Sequence, residues 1–348
     1  MKIGPYELDV PFVQAALSGY SDIPMRRLAR RFGCPYTLNE VVLDKIVVQP
    51  GKKKRTILEV PEDDHPVGGQ LMGADPEVFE AAAVLMAEAG YDVIDINFGC
   101  PVKKVLGRCR GGFLLSQPDT ALDIIRRVYR AVGQTHPVTV KMRRGMDDSP
   151  ESERNFFRIL DGAFDIGLCA ATVHGRTVKQ RYVGPSNWSF LRRVKQFAGD
   201  KTVLGSGDLF SADACVRMLE ETGVDGVTIA RGCIGNPWIF QECRALYAGE
   251  PLPPPPSVIE QGKAIRLHWE LCVEAYGEDL AQRVIRKFGI KYSEHHPSAR
   301  EVRDAFAHAK CAAHVTDALA KWYDSERDWP EVKRREGHGD LVAAGATL

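Results

Sequence analysis

The sequence predicts an α/β protein, a (β/α)8 TIM barrel followed by a small all-α helical domain. Between residues 12 and 240, eight short apolar, β-branched runs alternate with amphipathic stretches, which is the pattern of repeated strand and helix units around a parallel sheet. Beyond residue 256 the apolar residues recur only at helical spacing. A chain of 348 residues has room for a barrel of about 250 residues and a smaller companion.

Eight runs are predicted to form the barrel strands. An eightfold count favours a closed barrel over an open doubly wound sheet. In chain order the runs are FVQAAL (12–17), TLNEVV (37–42), VGGQLMG (67–73), DVIDINFG (92–99), VTVKMRRG (138–145), AATVHGR (170–176), TVLGSGD (202–208) and GVTIARG (226–232).

Helix boundaries between the strands are marked by capping residues and prolines. Asp75 and Pro76 predict the start of one helix and Gly90 its end, while Ser149 and Ser211 open two others in the same way. The composition then changes at GEPLPPPP, since a polyproline stretch is a semi-rigid spacer. We therefore predict a barrel at 1–248, a proline-rich linker at 249–256, a helical domain at 257–325 and a charged tail at 326–348.

Composition excludes several classes of protein. Forty-six basic residues balance 46 acidic ones, so a polyanionic partner must be met by local basic patches. Nine cysteines without any C-x-x-C spacing argue against a disulfide framework and a structural zinc site. Neither a membrane span nor a signal peptide is evident. We expect a cytoplasmic protein without a metal site.

Polar or reactive residues end most of the predicted strands. A barrel carries its chemistry at these carboxyl ends, where residues from several strands converge on one mouth. Each residue alone could equally be a solvated or hydrogen-bonded side chain. The residues are Gln70, Asn97, Cys100, Lys141, Arg143, His174, Arg176, Asp208 and Arg231.

Two glycine segments follow the last two strands, GSGDLFS at 205–211 and ARGCIGNPW at 230–238. This is the usual phosphate site of barrels, although glycines can also serve only tight turns. Gln70 and Lys141 could supply the amide and the cation that a flavin ring requires. The alternative for Lys141 is an ion pair with a neighbouring carboxylate.

Basic clusters suggest a nucleic-acid partner. The stretch from His174 to Gly184 interleaves basic residues with an aromatic one, as suits stacking on a nucleic acid strand, or forms a mixed-charge surface loop. Other basic clusters are GKKKR (51–55), VKKVLGRCR (102–110), KMRR (141–144) and RKFGIK (286–291).

Cys100 lies in a Gly-Cys-Pro turn after the fourth predicted strand. An unperturbed thiol is mostly protonated at neutral pH and can act as a general acid. Lys103 and Lys104 could instead favour the thiolate, and a small buried side chain without a catalytic role is the third interpretation.

These motifs resemble the flavin-dependent tRNA-dihydrouridine synthases, and most of all their bacterial B-type branch. The resemblance covers about residues 4–320 in order and is most specific in the Gly-Cys-Pro and His-Gly-Arg-Thr blocks. The matching segments are AALSGYSD (15–22), GGQLMG (68–73), DINFGCPVKKV (95–105), KMRRG (141–145), VHGRTVKQRYVG (173–184), GSGD (205–208), ARGCIGNPWIF (230–240) and RKFGIKYSEHHPSAREVR (286–303).

The resemblance implies an FMN-binding barrel that reduces uridine to 5,6-dihydrouridine in tRNA. A hydride from FMNH2 goes to C6, Cys100 gives a proton to C5, and NADPH or NADH re-reduces the flavin. The helical domain is then RNA-binding, and we expect a monomer. The implied FMN residues are Ala16, Leu17, Ser18, Gln70, Lys141, His174, Ser206, Gly207, Asp208, Ala230 and Arg231. Those implied near the substrate are Asn97, Lys103, Arg143, Arg176, Lys287 and Arg303.

The sequence departs from the family pattern in the expected cofactor shell. Ala-Ala-Leu-Ser-Gly replaces the usual Ala-Pro-Met-Ala-Gly, Ser206 replaces an asparagine and Ala230 a glycine. Three alternatives stay open: a non-catalytic RNA-binding or RNA-folding protein, a dihydrouridine synthase for ribosomal RNA, and an FMN barrel that reduces a small molecule. The basic clusters and the helical domain argue against the last.

Overall fold

The computed structural model describes residues 1–324 and 326–332, which form two compact units. The first unit is Met1–Arg231 and the second begins at Gly232. Most of the predicted charged tail, residues 333–348, lies outside the described residues. The division between the units falls earlier than the proline-rich segment at 249–256, so the role of that segment as a linker stays a prediction.

A closed barrel of eight parallel strands forms the centre of the first unit. Every predicted run contains one of its strands, so the predicted fold is confirmed. The strands are β1 Phe12–Gln14, β2 Thr37–Leu38, β3 Val67–Met72, β4 Val93–Phe98, β5 Val138–Arg143, β6 Ala170–His174, β7 Thr202–Ser206 and β8 Gly226–Ile229.

Hydrogen-bonded pairing runs around the barrel without a gap. Each strand pairs with the next, and β8 returns to β1 through the pair Val227 and Phe12. Val42–Leu43 forms an extra short strand along the end of β3. An antiparallel hairpin of Lys2–Ile3 and Tyr6–Glu7 precedes the barrel.

The helices surround the barrel in the first unit and form the second unit. As predicted, the side chains of Asp75, Ser149 and Ser211 accept hydrogen bonds from backbone N–H groups at helix starts. The helices are α1 Ile23–Arg31, α2 Asp44–Val48, α3 Lys52–Ile57, α4 Pro76–Glu88, α5 Lys103–Leu106, α6 Pro118–Val132, α7 Pro150–Ile166, α8 Trp188–Ala198, α9 Ala212–Thr222, α10 Trp238–Tyr247, α11 Val258–Tyr276, α12 Glu278–Tyr292, α13 Ala299–Ala307 and α14 Ala312–Trp322.

The interior of the barrel changes from apolar to polar along the strands. Val93, Ala170 and Leu204, at or near the starts of their strands, pack in one buried cluster with Ile3 and Leu8 from the amino-terminal segment. Because side chains alternate along a strand, residues two and four positions further on share this inner face. They are polar, and they carry the side chains of the candidate site to the carboxyl end.

The second unit has a core of its own. Helix α11 begins with a capping box in which Ser257 and Glu260 exchange hydrogen bonds. His268 on α11 is fully buried, and its Nδ1 lies 3.0 Å from the hydroxyl of Tyr292 on α12. Within the described residues, no helix is long and apolar enough to span a membrane.

Candidate active site

The strand register places most of the expected site residues around the carboxyl end of the barrel. Asn97 pairs with Lys141 across β4 and β5, and His174 pairs with Arg143 on one side and Ser206 on the other. Residues from four successive strands therefore meet at one mouth, as the sequence predicts.

Positive charge dominates this mouth. Lys141 has no hydrogen-bond or ion-pair partner among the described residues, and burial, with some repulsion from Arg143, lowers the pKa of its ammonium group to about 8. The charge of Asp95 offsets part of this lowering, but no carboxylate among the described residues lies within ion-pair distance of Lys141. Arg176 and Arg231 add further cations, against the carboxylate of Asp208. The mouth is thus suited to an anionic ligand.

His174 is neutral. Burial, and then the charges of Arg143, Lys141 and other cations, lower the pKa of the imidazole well below its usual range. The backbone N–H of Arg176 donates to Nδ1 at 3.2 Å. Because Nδ1 accepts, the ring hydrogen lies on Nε2, which makes that nitrogen a neutral donor.

Cys100 sits in a turn that is fixed at both ends by hydrogen bonds. The side-chain oxygen of Asn97 accepts from the backbone N–H groups of Gly99 at 2.9 Å and Cys100 at 3.1 Å. The backbone N–H of Gly112 donates to the carbonyl of Cys100 at 3.1 Å. Burial raises the pKa of the Cys100 thiol. The thiol therefore stays protonated at neutral pH, and the thiolate interpretation is not supported.

Arg143 braces this turn against the next loop. Its Nε donates to the carbonyl of Gly99 at 3.0 Å, and its Nη1 donates to the carbonyls of Thr177 at 2.9 Å and Arg181 at 2.7 Å. Burial lowers the pKa of its guanidinium to about 10, and only 4 % of the residue is exposed. The structure thus gives Arg143 a supporting role, and a direct contact with the substrate stays a prediction.

The glycine segment after β7 forms a second cluster at the mouth. Asp208 accepts from Nη2 of Arg176 at 2.8 Å and from the backbone N–H of Ser186 at 2.8 Å. Nη1 of Arg176 is buried without a hydrogen-bond partner. The backbone N–H groups of Gly207 and Asp208 have no acceptor among the described residues. These donors are suited to an anion such as a phosphate.

Gly207 is required by its surroundings. Its φ is 119°, and a Cβ would lie 2.3 Å from Oγ of Ser186 and 3.3 Å from Cε1 of His174. A side chain there would strain the backbone and displace its neighbours. The glycine therefore keeps the ring of His174 close to the phosphate-type donors.

The remaining expected residues lie in three places. Ala16 packs against the buried cluster, and Leu17 and Ser18 follow it at the end of β1. Lys103 is exposed at the start of α5. Lys287 on α12 and Arg303 on α13 belong to the second unit, Lys287 with its ammonium group 4.9 Å from the centre of the Phe288 ring.

Sequence reasoning missed one contributor to the site, Asp95, and did not name a second, Tyr182. Asp95 accepts hydrogen bonds deep in the barrel, and its signal was an acidic residue within an apolar strand, two positions before Asn97. Tyr182 has the guanidinium of Arg231 4.9 Å and that of Arg143 5.7 Å from its ring centre. Tyr182 is the aromatic residue that the sequence placed within the basic stretch from His174 to Gly184.

Fold and site together define the class of protein. A closed parallel barrel with a cationic mouth, a neutral histidine and a protonated thiol at the strand ends is the arrangement of a (β/α)8-barrel enzyme. The family model described as dihydrouridine synthase (Dus) matches residues 13–325. The chain belongs to the dihydrouridine synthase family of enzymes.

Relatives of known name agree with this assignment. The probable tRNA-dihydrouridine synthase of Mycobacterium tuberculosis (strain CDC 1551 / Oshkosh) is 36% identical over 356 residues, covering 99% of this chain and 90% of that protein. The tRNA-dihydrouridine synthase B of Pseudomonas aeruginosa is 35% identical over 319 residues, covering 90% of this chain and 94% of that protein. The similarity to a B-named relative accords with the resemblance to the B-type branch.

Solved structures share the fold alone. Morphinone reductase in complex with tetrahydroNAD matches with a TM-score of 0.54 at 13% identity, over 73% of this chain and 91% of that one. A 2-naphthoyl-CoA reductase complex matches with a TM-score of 0.58 at 11% identity, over 72% of this chain and 52% of that one.

Proposed function

We propose that the protein reduces uridine to 5,6-dihydrouridine in tRNA, with FMN as cofactor, NADPH as reductant and Cys100 as proton donor. The observation that carries the proposal is a thiol whose pKa is raised by burial, held in a turn at a cationic barrel mouth. Family membership supplies the reaction class, and the names of the relatives supply tRNA as the substrate.

The residues present fit FMN at both ends of the cofactor. At the phosphate end, the backbone N–H groups of Gly207 and Asp208, the partnerless Nη1 of Arg176 and the cation of Arg231 offer donors to an anion. At the ring end, Lys141 is a cation without a protein partner. Ser206 and Ala230 are small, so these departures from the family pattern add no large side chain to the site. When bound, FMN would supply the hydride.

Cys100 then has to deliver a proton to the carbon next to the one that accepts the hydride. A thiol with a raised pKa keeps its proton until the developing negative charge on the uracil draws it away. His174, neutral with its hydrogen on Nε2, can donate a hydrogen bond without surrendering a proton. Of these two groups at the strand ends, Cys100 is therefore the one that can release a proton.

The surface around the mouth supports an RNA substrate. Tyr182 is 42 % exposed and lies against Arg231, so an unstacked base has an aromatic surface backed by a cation. Lys103 and Lys104 are exposed on α5, in the same loop region as Cys100. A base must leave its stack to reach the barrel, which accounts for polar and aromatic groups at the rim.

The test compares Cys100→Ser with Cys109→Ser, which alters an exposed cysteine of the same loop. Bleaching of bound flavin by NADPH or NADH is measured on the purified proteins. Mass spectrometry of tRNA or ribosomal RNA incubated with each protein then detects uridines that have gained two hydrogens. We expect Cys100→Ser to bleach but to lose at least about 100-fold in dihydrouridine formation, with Cys109→Ser unaffected. Wild-type protein that binds flavin yet modifies no RNA would refute the proposal.

A further inference from the structure

We propose that Asp95 is a positioning residue, which fixes the direction of a hydrogen-bond relay that ends at Cys100. The relay runs from Asp95 through Gln70 and Asn97 to the turn that carries the thiol. All three side chains are at least nine-tenths buried. The inference rests on the proposed function only in taking Cys100 as the proton donor.

Backbone donors fix one end of the relay. The N–H groups of Gly99 and Cys100 can only donate, so Oδ1 of Asn97 must face them, at 2.9 and 3.1 Å. Nδ2 of Asn97 is then directed at Gln70 and donates to Oε1 at 2.6 Å. Nε2 of Gln70 in turn donates to Oδ2 of Asp95 at 2.6 Å. Each amide therefore has one orientation that satisfies its neighbours.

The other end of the relay needs an acceptor for Nε2 of Gln70. Asp95 accepts from Gln70 on one oxygen and from Oγ1 of Thr139 at 2.6 Å on the other. Two inward-pointing donors occupy both oxygens, and Lys141 supplies a compensating charge. An apolar side chain at position 95 would leave Nε2 of Gln70 buried without a partner, which favours reversal of both amides. Reversal would aim Nδ2 of Asn97 at two N–H groups and release the Cys100 turn.

The relay makes a prediction that ordinary core packing does not. Asn97→Asp keeps the oxygen that accepts from the turn, but it places a second acceptor against Oε1 of Gln70. Gln70 must then turn its amide, and its Oε1 would face the carboxylate of Asp95. Adding Asp95→Asn supplies an amide that donates to that oxygen and still accepts from Thr139. The double exchange restores every hydrogen bond with the same total charge.

The experiment uses the full chain and four changes: Asp95→Leu, Asn97→Asp, the double exchange Asp95→Asn with Asn97→Asp, and Asp92→Asn as the matched control. Asp92 is a carboxylate three positions earlier that accepts from the backbone N–H of Val67 at 2.6 Å and does not contact the relay. Iodoacetamide labelling of Cys100 is followed by peptide mass spectrometry, with the exposed Cys109 and Cys311 as internal references. Thermal unfolding, kcat and KM are measured on the same samples.

We expect Asp95→Leu to speed Cys100 labelling about tenfold, as the loss of one buried hydrogen bond would, and to lower kcat by about 10- to 100-fold at nearly constant KM. Asn97→Asp should label equally fast, and the double exchange should return both labelling and melting temperature close to wild type. Asp92→Asn should lower the melting temperature alone.

Two results would overturn the inference. One is Cys100 labelling within twofold of wild type in folded Asp95→Leu protein, and the other is a double exchange that is no better than Asn97→Asp. If Asp95→Leu does not fold, the comparison between Asn97→Asp and the double exchange still tests whether Asp95 sets the direction of the relay. Because labelling does not depend on turnover, a failure of the proposed function would appear separately, as wild-type protein that makes no dihydrouridine.

Discussion

Replacing Arg143 by methionine tests whether this arginine braces the site or contacts the substrate. The substitution keeps an unbranched apolar stem and removes the donors to Gly99, Thr177 and Arg181. Hydrogen bonds from a charged donor contribute about 1.5–3 kcal/mol each. The cost of burying the charge offsets part of this, about 3 kcal/mol for a pKa lowered to about 10. We expect a net loss of about 3 kcal/mol in the free energy of unfolding.

Urea unfolding followed by circular dichroism measures this loss. Binding of tRNA at several salt concentrations tests whether Arg143 instead contacts the RNA. Lys103→Met serves as the comparison, because Lys103 is exposed and its side chain makes no hydrogen bond among the described residues. We expect Arg143→Met to be less stable, with an unchanged salt dependence of tRNA binding. Lys103→Met should be as stable as wild type and bind tRNA with a weaker dependence on salt. The reasoning is refuted if Arg143→Met unfolds like wild type and binds tRNA with a weaker dependence on salt.

Three further predictions concern Gly207, Gly111 and the buried His268 of the second unit. Gly207→Ala should cost the purified protein most of its flavin absorbance, because the new Cβ would lie 2.3 Å from Oγ of Ser186; a normal flavin content would contradict the assigned phosphate site. Gly111→Ala, with φ at 57° and a Cβ 2.9 Å from that of Cys100, should keep its flavin and lose at least about tenfold in kcat; unchanged kcat would show that the thiol is not held there. Burial lowers the pKa of His268 to about 3, so the unfolded chain binds more protons between pH 3 and 6.5 and stability falls as the pH drops. By pH 4.5 the loss in free energy of unfolding amounts to about 3 kcal/mol. His268→Phe should therefore make the free energy of unfolding in urea less dependent on pH between 7 and 4.5, and an unaltered pH dependence would refute a lowered pKa for His268.

The barrel could be predicted because hydrophobic runs and capping residues act locally. Every run from FVQAAL to GVTIARG contains a strand, and Asp75, Ser149 and Ser211 cap helices where the sequence places them. The basic segment after Cys100 contains α5 and a 3-10 turn at Gly111–Ser116, neither of which the sequence analysis predicted. Glycines usually indicate irregular structure in a sequence, but here they are needed for close packing against Cys100 and Val178.

The roles of the charged residues were harder to predict, because they depend on loops far away in sequence. A strand-end arginine is equally compatible with a solvent-facing contact and with a buried brace. Arg143 is a brace only because the carbonyls of Thr177 and Arg181 reach it from the following strand's loop. Asp95 presents the same difficulty, since Gln70 comes from another strand and Thr139 from a third. Spacing along the chain identifies such residues, and only the strand register assigns their partners.

Lys141 shows why the mouth is best understood as a site prepared for an anion. A buried ammonium group without a partner destabilises the folded protein, by no more than about 3 kcal/mol for a pKa of about 8 in place of the usual value. Arg143 lies on the same strand and avoids isolation through three carbonyl acceptors, so the fold is able to satisfy a cation at this depth. Lys141 has only the charge of Asp95 to offset its own and no direct acceptor among the described residues, which indicates that its acceptor comes with a ligand. The reduced flavin ring carries negative charge where such a cation is useful, and its binding would return the stability that Lys141 costs.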